Sequence, residues 1–241
     1  MIVLTGHAGG IGRALADALK EAGHDVLGID RIATDGLVSS EVVFDLETLA
    51  TEEAQLALQS KLALALDGKD VNALINNAAW QCVTETATLS AAELQRSFQI
   101  NAIAPLLLFQ LLEAPLRAAQ GTLINISSVH TVATKAGFGA YAASKAALSS
   151  LTRTLALEHA SWLKVIELRP GAVATPMLEA GFEGRPADRK ALDAHQPRGK
   201  VCSAEELAEL CVELLSVTGQ ALTGAVLSLD GGISYRLHDP A

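Results

Sequence analysis

The arrangement that most restricts this chain is the regular alternation of short apolar runs with long helical stretches. Residues 2–5, 25–29, 42–44, 71–75, 122–126, 165–168 and 225–229 are brief, rich in Val, Ile and Leu, and bounded by turn formers, which reads as seven strands. Between them, residues 11–22, 49–66, 91–119, 141–160 and 204–217 carry helical patterns. Strand, helix and strand in repetition set the strands parallel, and a parallel sheet needs helices over both faces. The expected class is α/β: a doubly wound three-layer sandwich on a seven-stranded parallel sheet, with residues 1–241 forming one domain.

Composition narrows what such a domain does. A formal charge of −9 with no Lys/Arg cluster repels a phosphate backbone, so no nucleic-acid partner is expected. Cys82, Cys202 and Cys211 lie far apart and form no CxxC, which suggests neither a disulfide framework nor a metal site. The opening MIVLTG is already a strand entering a glycine loop and has no signal-peptide pattern, so the expected location is cytoplasmic. Residues 103–116 are the most apolar, but Pro105, Gln110, Glu113 and Pro115 interrupt them, which fits a buried helix and no membrane partner. Residues 177–200 are weakly patterned, with Gly181, Gly184, Pro186 and Pro197 inside. They follow a strand's C-terminal end, where ligands bind in open α/β sheets, and are expected to form an irregular substrate lid.

The first strand runs into Thr5-Gly6-His7-Ala8-Gly9-Gly10-Ile11-Gly12, and a helix begins near Gly10. Glycine permits the tight turn and lets the backbone approach a pyrophosphate, while the helix N-terminus presents unpaired N–H groups to the anion. Gly6, Gly10, Ile11 and Gly12 are therefore the expected phosphate cradle. Asp30 closes the second strand, in VLGID. A carboxylate there accepts hydrogen bonds from a ribose 2′-hydroxyl and repels a 2′-phosphate, favouring NAD over NADP. Arg31 pulls the other way, as a guanidinium that holds a phosphate. His7 reads as a solvated loop side chain with no role.

In Tyr141-Ala-Ala-Ser-Lys145 a phenol and an ammonium sit at i and i+4, on one face of a helix. A tyrosine titrates near about pH 10 in isolation, and a nearby cation moves it toward a useful acid/base range. Reduction of a carbonyl needs such a proton donor. Ser128, at the end of TLINIS, offers a hydroxyl that polarises the same oxygen. Taken alone, an ordinary strand-end serine and a core tyrosine fit these positions too.

With the TGxxxGxG loop at Thr5 to Gly12, Asp45-Leu46, Asn76-Asn77-Ala78-Ala79, Asn101, Ser128, YxxxK and Pro170-Gly171-Ala172-Val173-Ala174-Thr175 in order, the chain resembles the short-chain dehydrogenases/reductases over its whole length. The resemblance implies a Rossmann-like fold and an NAD(H)-dependent interconversion of a secondary alcohol and a ketone. It makes Tyr141 the general acid/base, Lys145 the group that lowers its pKa and binds the nicotinamide ribose, and Ser128 the holder of the substrate oxygen. Asn101 would kink its helix and support a water relay to Lys145. Asp45 and Leu46 would flank the adenine, Asn77, Ala78 and Ala79 would run along the cofactor, and Pro170, Gly171, Val173 and Thr175 would meet the nicotinamide end. Ala79 departs from the family pattern, which has glycine there. The resemblance also implies a homodimer or homotetramer, through the helices near Asn101 and Tyr141.

By family position the substrate pocket is lined by Trp80, Gln81, Val129, His130, Phe138 and the lid. Gln81, His130 and Gln196 would converge on a carboxylate beside an apolar wall from Trp80 and Phe138. That combination is similar to the 3-hydroxybutyrate dehydrogenase branch, but Phe138 stands where that branch has a lysine and Ile233 where it has a tryptophan. Small hydroxy acids, cyclic diols, polyols and keto esters all remain open. A non-catalytic NAD(H) sensor on the same fold, or an epimerisation or dehydration through a transient hydride, are the alternatives.

Overall fold

A computed structural model describes residues 1–236. In chain order the elements are β1 (Ile2–Thr5), α1 (Gly10–Glu21), β2 (Val26–Asp30), β3 (Ser40–Val43), α2 (Glu52–Leu66), β4 (Ala73–Asn76), α3 (Ala91–Phe98), α4 (Ala104–Ala119), β5 (Thr122–Ile126), α5 (Gly139–His159) and β6 (Lys164–Pro170). They continue with β7 (Val173–Ala174), α6 (Pro176–Ala180), α7 (Pro186–His195), β8 (Cys202–Ser203), α8 (Ala204–Ser216) and β9 (Ala225–Leu229). Seven strands form one sheet in the order β3-β2-β1-β4-β5-β6-β9, every neighbouring pair parallel. β7 and β8 make a separate two-residue pair. The seven-stranded doubly wound sandwich expected from the alternation is the fold, with strand ends displaced by one or two residues.

In the central strands β1, β4 and β5 every residue is buried, and because successive residues point to opposite sides, each strand feeds both faces. From β1, Val3 joins Leu27, Leu74, Leu108, Leu112 and Leu155 beneath α4 and α5. Leu4, next in sequence, joins Leu15, Leu19, Ile75, Ile166 and Leu207 beneath α1 and α8. The sheet order reverses at β1, which pairs with β2 on one side and β4 on the other. The carboxyl ends of β1 and β4 therefore splay their loops apart and open a crevice there.

The stretch expected as one helix over 91–119 is continuous but not uniform: α3 and α4 are joined by a π-helical turn at Gln99–Ile103. At 29 residues the run is long and apolar enough to cross a bilayer. Here Ala104, Leu108, Leu112 and Leu116 lie in the core instead.

The lid region departs from expectation. Residues 177–200 are not irregular; they contain most of α6 and all of α7. Pro186, which looks like a breaker, opens α7, as Pro176 opens α6, where a missing N–H costs nothing, and Pro197 lies just beyond the end of α7. Thr175 caps α6 by accepting a hydrogen bond from the Leu178 amide.

Helix α8 is held from below as well as by its apolar face. Lys164, buried at the start of β6, donates from Nζ to the carbonyls of Leu214 at 2.8 Å and Val217 at 2.6 Å. These are orphan carbonyls of the last turn, satisfied by a cation at the negative end of the helix dipole. Lys164→Met keeps the aliphatic stem and leaves the carbonyls unpaired. The expected cost is about 1–3 kcal/mol, read as a lower urea midpoint at unchanged m-value; an unchanged midpoint contradicts this account.

Candidate active site

A cleft of about 520 Å³ opens along the carboxyl ends of the strands, lined from the glycine loop through Asp30 and Asn77 to Ser128, Tyr141 and Thr175. Its floor is set by contacts that only glycine allows. A Cβ on Gly12 would stand 1.9 Å from the Gly6 carbonyl oxygen, so the first turn of α1 lies directly on the loop. Thr5 ties that loop to its neighbour by accepting at Oγ1 from the Asn77 and Ala78 amides, both at 3.0 Å. Asn77 donates in return to the Thr5 and Gly6 carbonyls. This narrow trough, walled by backbone and facing the α1 N-terminus, fits a dinucleotide pyrophosphate.

Asp30 accepts at Oδ2 from the Ala8 amide at 3.1 Å and at Oδ1 from the Ile32 amide. Each carboxylate oxygen keeps a further lone pair for a ribose hydroxyl. Arg31 is exposed and lines the same cleft, as do Asp45 and Leu46. Ala79 replaces glycine without strain, because the positive-φ non-glycine residues among those described are Asp67 and Gln120.

His7 contradicts its sequence reading. The ring is fully buried, with Nε2 3.1 Å from Thr34 Oγ1 and 3.2 Å from Glu41 Oε2. It fills the space over Gly28, where a Cβ would meet the ring at 2.6 Å. Glu41 also accepts from the Thr34 amide. One imidazole thus joins the glycine loop, the β2–β3 loop and β3. The sequence signal for this was Gly28 in the middle of an otherwise branched strand.

At the other end of the cleft, Ser128 follows β5 and caps a short turn by accepting from the His130 amide. That leaves its O–H free to donate. Tyr141 sits in the first turn of α5, and Lys145 one turn later is buried, with Nζ donating to the Ile126 carbonyl at 2.7 Å. Burial pushes the Lys145 ammonium down to about 8, against an opposing pull from the buried carboxylate of Glu167. Burial raises the Tyr141 phenol, and the Ser128 hydroxyl lowers it in part. The expected lowering by Lys145 is not the dominant effect: burial outweighs it, with the Lys145 nitrogen 5.9 Å from the Tyr141 ring centre and one of its three protons given to the Ile126 carbonyl.

Asn101 lies in the π-helical turn, fully buried. Its Oδ1 accepts from the Trp80 amide at 2.8 Å, and Nδ2 donates to the Trp80 carbonyl and to Ser144 Oγ, both at 2.9 Å. Both amide protons are committed, so the side chain acts as a clamp between the cleft wall and α5. Trp80 and Gln81 reach the cleft; so do Val129, His130 and Phe138, and Pro170, Gly171, Val173 and Thr175 close its far side. Gln196 does not. It donates to the Leu192 carbonyl and lines a different hollow with Pro197, Gly232 and Tyr235. Ile233 belongs to the short turn beside that hollow.

A family model described as short chain dehydrogenase matches residues 1–186. The chain belongs to that family. Among its relatives, Protein FixR of Bradyrhizobium diazoefficiens is 33% identical, over 96% of this chain and 86% of its own. The 2,5-dichloro-2,5-cyclohexadiene-1,4-diol dehydrogenase of Sphingobium indicum is 30% identical, over 97% and 96%. Of solved structures, a putative NAD(P)-dependent gluconate 5-dehydrogenase from Beutenbergia cavernae with bound NADP superposes with a TM-score of 0.86 at 29% identity, covering 98% of this chain and 96% of that one. The aldohexose dehydrogenase of Thermoplasma acidophilum, at 0.90 and 21% identity over 100% and 96%, shares the fold. Short-chain dehydrogenases bind nicotinamide dinucleotides, and the backbone trough above has the shape for one.

Two outcomes follow from this geometry. His7→Ala should lower stability by roughly 2–4 kcal/mol, and Gly28→Ala, disruptive alone, should become tolerable in that background; additive costs in the double-mutant cycle exclude the packing unit. Separately, burial with a contribution from Lys135 lowers His130 to about 4. The unfolded chain then binds the extra proton between its ordinary pKa and that value, so His130 adds stability that is full above about pH 6.5 and disappears toward pH 4. Urea midpoints of the native chain and His130→Gln across that window should converge as pH falls; parallel curves refute the assignment.

Proposed function

We propose that this short-chain dehydrogenase is an NAD(H)-dependent oxidoreductase that interconverts a secondary alcohol and a ketone, with Tyr141 as general acid/base. The observation that carries the reading is the convergence of the Ser128 hydroxyl and the Tyr141 phenol on one end of a cleft whose other end holds Asp30. Relatives named diol dehydrogenase, acetoacetyl-CoA reductase and L-xylulose reductase act on alcohols or carbonyls, which supports it.

A nicotinamide dinucleotide held along the glycine loop, Asp30 and Asn77 would supply or accept the hydride. In the reducing direction Ser128 donates a hydrogen bond to the carbonyl oxygen, and Tyr141 delivers a proton to it as negative charge develops. In the oxidising direction Tyr141 takes that proton back. Lys145, buried one helical turn away, keeps a positive charge beneath the phenol and favours its anion. The Asp30 carboxylate favours ribose hydroxyls over a 2′-phosphate, which supports NAD. A small-molecule alcohol or ketone as partner, and a homodimer or homotetramer as the assembly, complete the reading.

Oxidation of NADH and NADPH against a ketone panel, with Tyr141→Phe and Asp30→Ala alongside, tests it. NADH-linked turnover should fall at least about a hundredfold in Tyr141→Phe, the lower range for loss of a general acid, and Asp30→Ala should relax selectivity toward NADPH. Tight NADH binding with no turnover overturns catalysis and leaves a dinucleotide sensor. A preference of the native chain for NADPH shows that Arg31 outweighs Asp30.

A further inference from the structure

The substrate end of the cleft holds a cation that sequence reading did not select. Lys135 lines the same cleft as Tyr141, on the exposed loop between Ser128 and α5. Its ammonium sits 4.5 Å from the centre of the Phe138 ring. Phe138 in turn lies parallel to His130, with ring centres 4.6 Å apart and planes 3° from parallel. His130 meets Tyr141 edge-on at 5.7 Å. Lys135, Phe138 and His130 therefore form one stack running from solvent to the reacting phenol. Cation–π contact holds the ammonium in place without neutralising it, and no carboxylate pairs with it among the described residues.

Neighbouring charges sharpen the point. The acids among the described lining residues are Asp30 and Asp45. Asp30 ends β2 and Asp45 follows β3, and β2 is separated from β5 by β1 and β4. Three strand spacings of about 4.8 Å put those acids beyond one Debye length of about 8 Å from the Ser128 end. Of the other cations at this end, Lys145 is buried with Nζ donating to the Ile126 carbonyl, and Arg96 is engaged by Glu47 at 2.9 Å and lies over Trp80. His130 gives Nδ1 to Thr134 at 2.8 Å and stays neutral at ordinary pH. In a chain of net charge −9, the one end of the cleft where chemistry is expected is thus free of acids and carries an uncommitted ammonium. A point charge on a flexible stem, at the rim of an aromatic wall, suits a monoanion whose apolar body lies against the rings.

Resting on the catalytic reading above, we infer that the substrate carries a carboxylate, bound by Lys135 at the mouth of the cleft while its hydroxyl or carbonyl meets Ser128 and Tyr141. Lys135 lies three residues before Phe138, which stands where the 3-hydroxybutyrate dehydrogenase branch has a lysine. Neutral ketones and diols fill the same aromatic wall but leave the ammonium unpaired.

Binding can be scored apart from turnover with short tertiary hydroxy acids, which no dehydrogenase oxidises, and their methyl esters. Each pair is titrated calorimetrically into the full chain saturated with NAD. At least one acid should bind roughly fivefold more tightly than its ester, the factor a partly exposed ion pair supports. That ratio should fall toward one in Lys135→Gln and invert in Lys135→Glu, with NAD affinity as the check that the cleft is intact. Esters binding as well as acids, no acid binding at all, or a ratio that survives Lys135→Gln each overturn the inference. The matching secondary hydroxy acids, assayed for NADH formation, report on the catalytic reading alone: acids that bind through Lys135 and are never oxidised overturn catalysis and leave the carboxylate site standing.

Discussion

The closeness of Gly12 to the Gly6 carbonyl is the constraint on which the site depends. With room for a hydrogen and no carbon between them, α1 begins directly on the loop that leaves β1. The same contact seats the apolar face of α1 against α8 through Leu15, Leu19, Leu207 and Cys211. A helix that starts one residue later, or is pushed outward by a methyl group, would aim its N-terminal amides away from the trough and lose that apolar seam. The shape of the backbone trough and the α1 seam of one core are consequences of a single missing side chain.

The two ends of the cleft are built by different physics. The dinucleotide end is backbone: amides held by Thr5, Asn77 and Asp30, where side chains serve to fix the chain rather than to touch a ligand. The substrate end is side chain: aromatic rings, hydroxyls and ammonium groups projected from the segments after β4 and β5 and from the start of α5. Burial dominates the titration of Tyr141 and Lys145, so the mutual tuning of that pair acts within a desolvated wall. Glu167, fully buried on β6, accepts from Arg169 and Ser149 and contributes a stabilising charge behind Lys145.

Much of this was legible in the sequence because it depends on local period and spacing. Strand runs announce themselves by composition, and Tyr141 and Lys145 by their separation of one helical turn. What was not legible depends on where side chains turn in three dimensions. The helices α6 and α7 hid because Gly181, Gly184 and Pro186 look like breakers until Pro186 is known to open a helix. His7 passed for a solvated residue because nothing in its own surroundings says that Gly28 lies beneath it. Lys135 sits six residues before Tyr141, a spacing no helix periodicity links, and is brought to the cleft by the loop that precedes α5. Gln196 fails in the opposite way: a suitable residue type in a suitable segment, turned toward its own helix.

The imidazole of His7 and the missing side chain of Gly28 beneath it also bear on how this chain can vary. Each position is acceptable only in the company of the other: a side chain on residue 28 requires the ring to leave, and loss of the ring leaves a void beneath the glycine loop and a Glu41 carboxylate held by Thr34 alone. Substitutions at the two sites should accordingly be inherited together rather than singly. Among near relatives of this chain, residue 28 should be glycine wherever residue 7 is histidine, and should be free to become alanine or serine where it is not.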